Sequence, residues 1–81
     1  MPNNDKLREI FKINLNYFFN LKGSTQKDLA EFMGVTPATV NEWLKGRKLP
    51  RMDKLDMICL YFNVKRSDLM EQNSEGNADM F

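Results

Sequence analysis

Only three residues, Gly34, Val35 and Thr36, separate two stretches that read as helices, QKDLAEFM and PATVNEWL. No other feature limits the fold so much. A link this short forces the two helices to cross sharply, and such a crossing needs a small side chain at the contact. Ala30, one helical turn before Gly34, supplies it. Gly34 is suited to the left-handed conformation that redirects a chain at once. Thr25 opens the first helix with the acid Asp28 three residues on, a capping pattern. Thr36 can cap the second helix, Pro37 suits its first turn, and Gly46 suits its far end. Helix 2 is therefore expected over about 26–33 and helix 3 over about 37–45. Val40 can pack on Ala30 and Leu29, with Val35 plugging the turn, Met33 beneath it and Trp43 one turn beyond.

Three further helices complete the pattern, and no stretch shows the strict alternation of a half-buried strand. Helix 1 is expected from about Asp5 to Leu21, capped by Asn4 or Asp5 and ended by Gly23. Its stripe is Leu7, Ile10, Phe11, Asn14, Phe18 and Leu21, widened by Ile13 and Tyr17 and leaving Phe19 over. Either the core wraps this helix on two sides, or an aromatic edge is free for a second subunit. Helix 4 should begin after Pro50 and run to about Phe62, burying Leu55, Ile58, Cys59 and Phe62, with Asn63 as its C-terminal cap. A last short turn starts at Ser67, with Leu69 folding back on the core. Residues 71–81, EQNSEGNADMF, are acidic and glycine-containing and read as a flexible tail or the start of a linker.

Composition removes several function classes. The chain has 81 residues, enough for one small domain that buries roughly 60–65% of its unfolded surface. The longest unbroken apolar run is MICLYF, far short of the roughly 20 residues of a membrane span. The N-terminal segment mixes charges with its apolar residues and is no secretory signal, so the cytoplasm is the expected compartment. Cys59 is the single cysteine and there is no histidine, so an internal disulfide is impossible and zinc sites of the usual kind are excluded. No glycine-rich phosphate loop or nucleophile–base pair is present, so neither an enzyme nor a cofactor is expected. Cys59 lies on the buried stripe of helix 4 and reads as packing rather than a redox sensor.

The net charge of +1 hides an asymmetry. All 12 basic residues lie between Lys6 and Arg66, while residues 67–81 carry four of the 11 acids and no base. The first 66 residues thus hold 12 bases against seven acids. The densest basic stretch is KGRKLPR, residues 45–51. It follows a helix 3 whose other face, Pro37, Ala38, Asn41, Glu42 and Lys45, is too small and polar for a core.

TQKDLAEFMGVTPATVNEWLKGRKLP resembles the helix-turn-helix of the Cro/repressor-type (Xre-like) DNA-binding regulators of bacteria and phages. The matching features are Gln26, Leu29-Ala30, Gly34-Val35, Thr36, Thr39-Val40, Trp43, Gly46 and Pro50; LDMICLYFNV resembles the family's fourth helix. Two positions depart from it. Leu44 replaces a frequent acid and is expected to pack toward helix 4. Lys65 replaces a frequent serine, which moves the start of the last helix to Ser67.

The resemblance implies an all-α, lambda-repressor-like fold: a compact bundle of four to five short helices with the helix-turn-helix in residues 1–70. It implies that helix 3 lies in the major groove with its N-terminal part against base edges. Pro37 and Ala38 are short enough to let it sit deep, and either can pack on a thymine methyl. Asn41 can pair with adenine and Glu42 can accept from cytosine. Phosphate contacts fall to Gln26 at a helix N-terminus, to the hydroxyls of Thr36 and Thr39, and to Lys45, Arg47, Lys48 and Arg51. Arg51 is also placed to reach the minor groove.

The expected function is a sequence-specific regulator of transcription, a repressor that occupies a double-stranded operator. Two copies on a pseudo-palindrome would supply the affinity that one recognition helix lacks. Helix 1 and the C-terminal segment are the surfaces for a homodimer. The chain also fits the DNA-binding half of a longer repressor. The alternative is a protein-interaction module such as an antitoxin, which would hold its partner protein through helix 1 or the tail.

Overall fold

The computed structural model describes residues 4–72, with side chains from Asp5 onward. Five helices follow one another: α1 (Asn4–Lys22), α2 (Gln26–Met33), α3 (Pro37–Leu44), α4 (Met52–Phe62) and α5 (Arg66–Met70), with no strand among the described residues. The all-α bundle expected from periodicity is what forms. Boundaries move by a residue or two: α1 is already helical at Asn4, so Asp5 lies in its first turn, where it pairs with Arg8. α3 stops at Leu44, with Lys45 as its cap. α4 starts at Met52 with Arg51 as N-cap, and α5 starts at Arg66. The expected acidic tail falls mostly on residues 73–81, outside the described residues.

The core is one cluster to which every helix contributes. α1 supplies Phe11, Leu15 and Phe19, α2 supplies Leu29, Ala30 and Met33, and α3 supplies Val40 and Trp43. Leu55, Ile58 and Cys59 come from α4, and Leu69 from α5. The buried face of α1 therefore differs from the expected stripe. Phe19 and Leu15 are inside, whereas Leu21 is 70% exposed and Tyr17 57%. The burial centre is set by the i, i+4, i+8 series Phe11, Leu15, Phe19. Phe19 meets Phe62 of α4 with ring centroids 5.9 Å apart. A helix apolar around most of its girth has no preferred side until its neighbours choose one. Phe62 itself is only half-buried, packed against Phe18 and Phe19.

Asn14 breaks the apolar stripe for a reason. It is 95% buried, and its Nδ2 donates to the Leu69 carbonyl at 2.9 Å and the Glu71 carbonyl at 2.6 Å. Those carbonyls belong to the end of α5, where helical partners run out. One amide thus ties the last helix to the first without leaving a buried polar atom unpaired. Arg66 of α5 adds an exposed ion pair to Asp56 of α4, at 2.7 Å. The guanidinium holds the Asp56 carboxyl below its ordinary range, chiefly through the hydrogen bond. On α4, burial pushes the Cys59 thiol up, with the charge of Asp56 adding to it. A thiol kept protonated is a poor nucleophile, in keeping with a packing role.

Candidate nucleic-acid interface

The α2–α3 corner is built from its own sequence. Thr25 accepts from the Asp28 backbone at 3.0 Å and starts α2. Gly34, at φ 71°, ends it, and its amide returns to the Ala30 carbonyl. Val35 also donates to that carbonyl, at 3.0 Å, so two amides close the helix within one residue of each other. Thr36 then caps α3 by accepting from the Thr39 amide at 3.2 Å, and the two hydroxyls lie 3.0 Å apart. Pro37 occupies the first turn. Ala30 is buried at the crossing, with Leu29, Met33, Val40 and Trp43 around it. Trp43 is a core residue.

Burying Val40 and Trp43 decides what α3 shows outside. Pro37, Ala38, Asn41, Glu42 and Lys45 occupy the opposite side of the helix at 100° per residue. Pro37, Ala38 and Lys45 are exposed, and Asn41 and Glu42 are half-buried. Arg47, Lys48 and Arg51 are exposed on the segment that leaves the C-terminal end of α3.

Three pairs form among the residues expected at the site. Gln26 Nε2 donates to Asn41 Oδ1 at 3.2 Å, joining the first residue of α2 to the exposed ridge of α3. Arg47 Nη1 donates to Glu42 Oε2 at 3.2 Å, and the Arg47 amide donates to the Glu42 carbonyl at 3.0 Å. Thr36 and Thr39 pair with each other. Lys48 and Arg51 lie in the α3–α4 connection, apart from the ridge in the chain.

The far end of α3 is set by α1. Asn16 Nδ2 donates to the Leu44 carbonyl at 2.9 Å and to its own helix at Lys12. Gly46 has φ 72°, and a Cβ there would lie 3.0 Å from Lys12 Cδ and 3.2 Å from Lys12 Cβ. Leu44 lines a groove against α1 with Lys12, Ile13, Asn16 and Tyr17. It is expected to face helix 4; the groove places it against α1. Asn16 was missed by the sequence reading. The available signal was compositional: asparagine is a poor helix former, so one in mid-helix has other work for its amide.

The chain belongs to the Cro/C1-type HTH DNA-binding domains, whose family model matches residues 14–75. It is thus a DNA-binding domain of the kind that regulates transcription. The solution structure of an SOS-response transcriptional repressor, LexA, from Eubacterium rectale is similar at a TM-score of 0.82 and 42% identity. That match covers 85% of this chain and 73% of the other. The crystal structure of a hypothetical transcription factor from Neisseria shares the fold at a TM-score of 0.80 and 20% identity, covering 100% of this chain and 92% of the other. No curated protein matches the chain.

Proposed function

We propose that this protein is a sequence-specific repressor that binds a double-stranded operator as a homodimer and blocks polymerase. The observation that carries the reading is the outward ridge of α3, with a small N-terminal end and a hydrogen-bonded amide at Asn41. Pro37 and Ala38 would let the helix approach the base edges, and Asn41 would read an adenine, held in place by Gln26. Thr36, Thr39, Lys45, Lys48 and Arg51 would contact phosphates, with Gln26 at the start of α2 beside them. Residues 1–70 would form the DNA-binding unit and 71–81 a tail or linker. No described helix is long and apolar enough to cross a membrane.

Selection of bound duplexes from a random pool tests this. The expected product is an inverted repeat whose half-sites lie about one helical turn apart. Asn41→Ala should relax preference at one position per half-site, by about 1–3 kcal/mol of discrimination. A pool that returns no enriched sequence would refute the proposal. A second reading, an antitoxin-like interaction module, is favoured by the exposed apolar residues Ile13, Tyr17 and Leu21 on one side of α1. Serine at Ile13 and Tyr17 would then abolish binding of a partner protein. Under the repressor reading the same change would at most weaken dimerisation.

A further inference from the structure

Glu42 is an awkward residue for a DNA-reading face. It stands one turn beyond Ala38 on the same ridge, where a bare carboxylate would meet the phosphates' negative charge. The structure gives that carboxylate a partner. Arg47 is bound to residue 42 twice, by its backbone amide at 3.0 Å and by its guanidinium at 3.2 Å. The backbone bond spans five residues across the end of α3, around the left-handed Gly46 at φ 72°. The backbone bond sets where the arginine side chain starts, and the ion pair with Glu42 draws its tip back toward α3.

We propose that Glu42 is a positioning residue: it holds Arg47 against the side of α3, facing the base edges, and withholds it from sequence-independent phosphate contact. This rests on the reading of α3 as the groove-facing helix. The chemistry favours specificity over raw affinity. A free arginine next to a recognition helix adds one counterion-releasing contact on any duplex. An arginine tied by one nitrogen is neutralised as a phosphate clamp, but its planar fork still presents donors in a fixed direction. Guanine O6 and N7 are the acceptors such a fork matches.

A double-mutant cycle on duplex binding tests the assignment, using the selected operator and a random duplex over a range of salt. Glu42→Ala should tighten binding to the random duplex by about tenfold and raise the salt slope by about one, because Arg47 is released to a phosphate. The operator-to-random ratio should fall. In an Arg47→Ala background the same substitution should have a much smaller effect, limited to the loss of one acid. Glu42→Gln, which retains an acceptor oxygen for Arg47, should lie between wild type and Glu42→Ala. Thermal unfolding should be nearly unchanged in all of them, since Arg47 is exposed and Glu42 is only half-buried and outside the core. Equal effects of Glu42→Ala with and without Arg47 would overturn the assignment. So would a loss of preference at one base pair with no gain on random DNA, which would make Glu42 a direct reader. A wild-type chain that prefers no duplex would overturn the repressor reading itself, and this assignment with it.

Discussion

The two ends of α3 are held by different means. At the N-terminal end the restraints are local: the Thr36 cap, the Pro37 turn and the Gly34 bend all lie within four residues of one another. Thr36, Pro37 and Ala38 are all exposed there. At the C-terminal end the restraints come from α1, where Asn16 grips the Leu44 carbonyl and Lys12 packs against Gly46. Under the proposed reading α3 enters a groove, and a helix that does so has to be bare at its tip. Its aim then has to be set from behind, by a longer element anchored in the core. α1 is that element: its Phe11, Leu15 and Phe19 are buried along the same helix that carries Lys12 and Asn16.

This contrast predicts that the rear mounting matters more than the tip cap. The largest effect should come from Gly46→Val, which combines a left-handed backbone with a Cβ crowded to 3.0 Å from Lys12 Cδ. A loss of about 2–4 kcal/mol is expected, read as a lower urea midpoint at unchanged slope. Asn16→Ala comes next. Leaving the Leu44 carbonyl without its donor should cost about 1–2 kcal/mol, and under the proposed reading operator affinity should drop although Asn16 lies outside the proposed DNA contacts. Thr36→Ala should cost about 1 kcal/mol and Thr36→Ser much less, in the same urea titration. If Thr36→Ala proved the most damaging of the three, the idea of a rear-mounted helix would have to be dropped.

The smallest effect should lie far from α3. Arg66 lowers the Asp56 carboxyl below its ordinary range, chiefly through the hydrogen bond, so the exposed pair stabilises the fold at neutral pH. The contribution disappears as the pH falls through the lowered value in the folded protein. Arg66→Gln should therefore be slightly less stable than wild type at pH 7 and equal to it at low pH. Its operator affinity at neutral pH should match that of wild type. A gap between the two proteins that persisted in acid would show that Arg66 acts by packing and not by charge.

Legibility in the sequence followed the same division. The α2–α3 corner could be read because its signals are short-range and chemically narrow: a capping threonine, a proline in a first turn, a left-handed glycine. The left-handed Asn63 that ends α4 was legible for the same reason. α1 could be seen to exist, but not which way it faced. Phe18, Phe19, Tyr17 and Leu21 are equally apolar in the sequence, and only contact with α4 separates the buried Phe19 from the exposed Tyr17 and Leu21. Among the residues proposed for DNA, the types and their shared face were readable, and their pairing was not. Gln26 with Asn41 and Glu42 with Arg47 are joined across an inter-helix corner and a chain reversal, which no single-helix periodicity encodes.

The chain by itself thus determined five helices, a sharp corner between the second and third, and a small polar ridge backed by Val40 and Trp43. Each of these depends on torsions and spacings within a few residues, and local energies suffice for them. The tertiary structure alone decided which side of α1 is core, that Asn14 closes α5, and that Asn16 and Lys12 hold the end of α3. Those outcomes depend on apolar surfaces and unpaired carbonyls meeting from distant parts of the chain. Such meetings are selected by the free energy of the whole packed core rather than by any one segment.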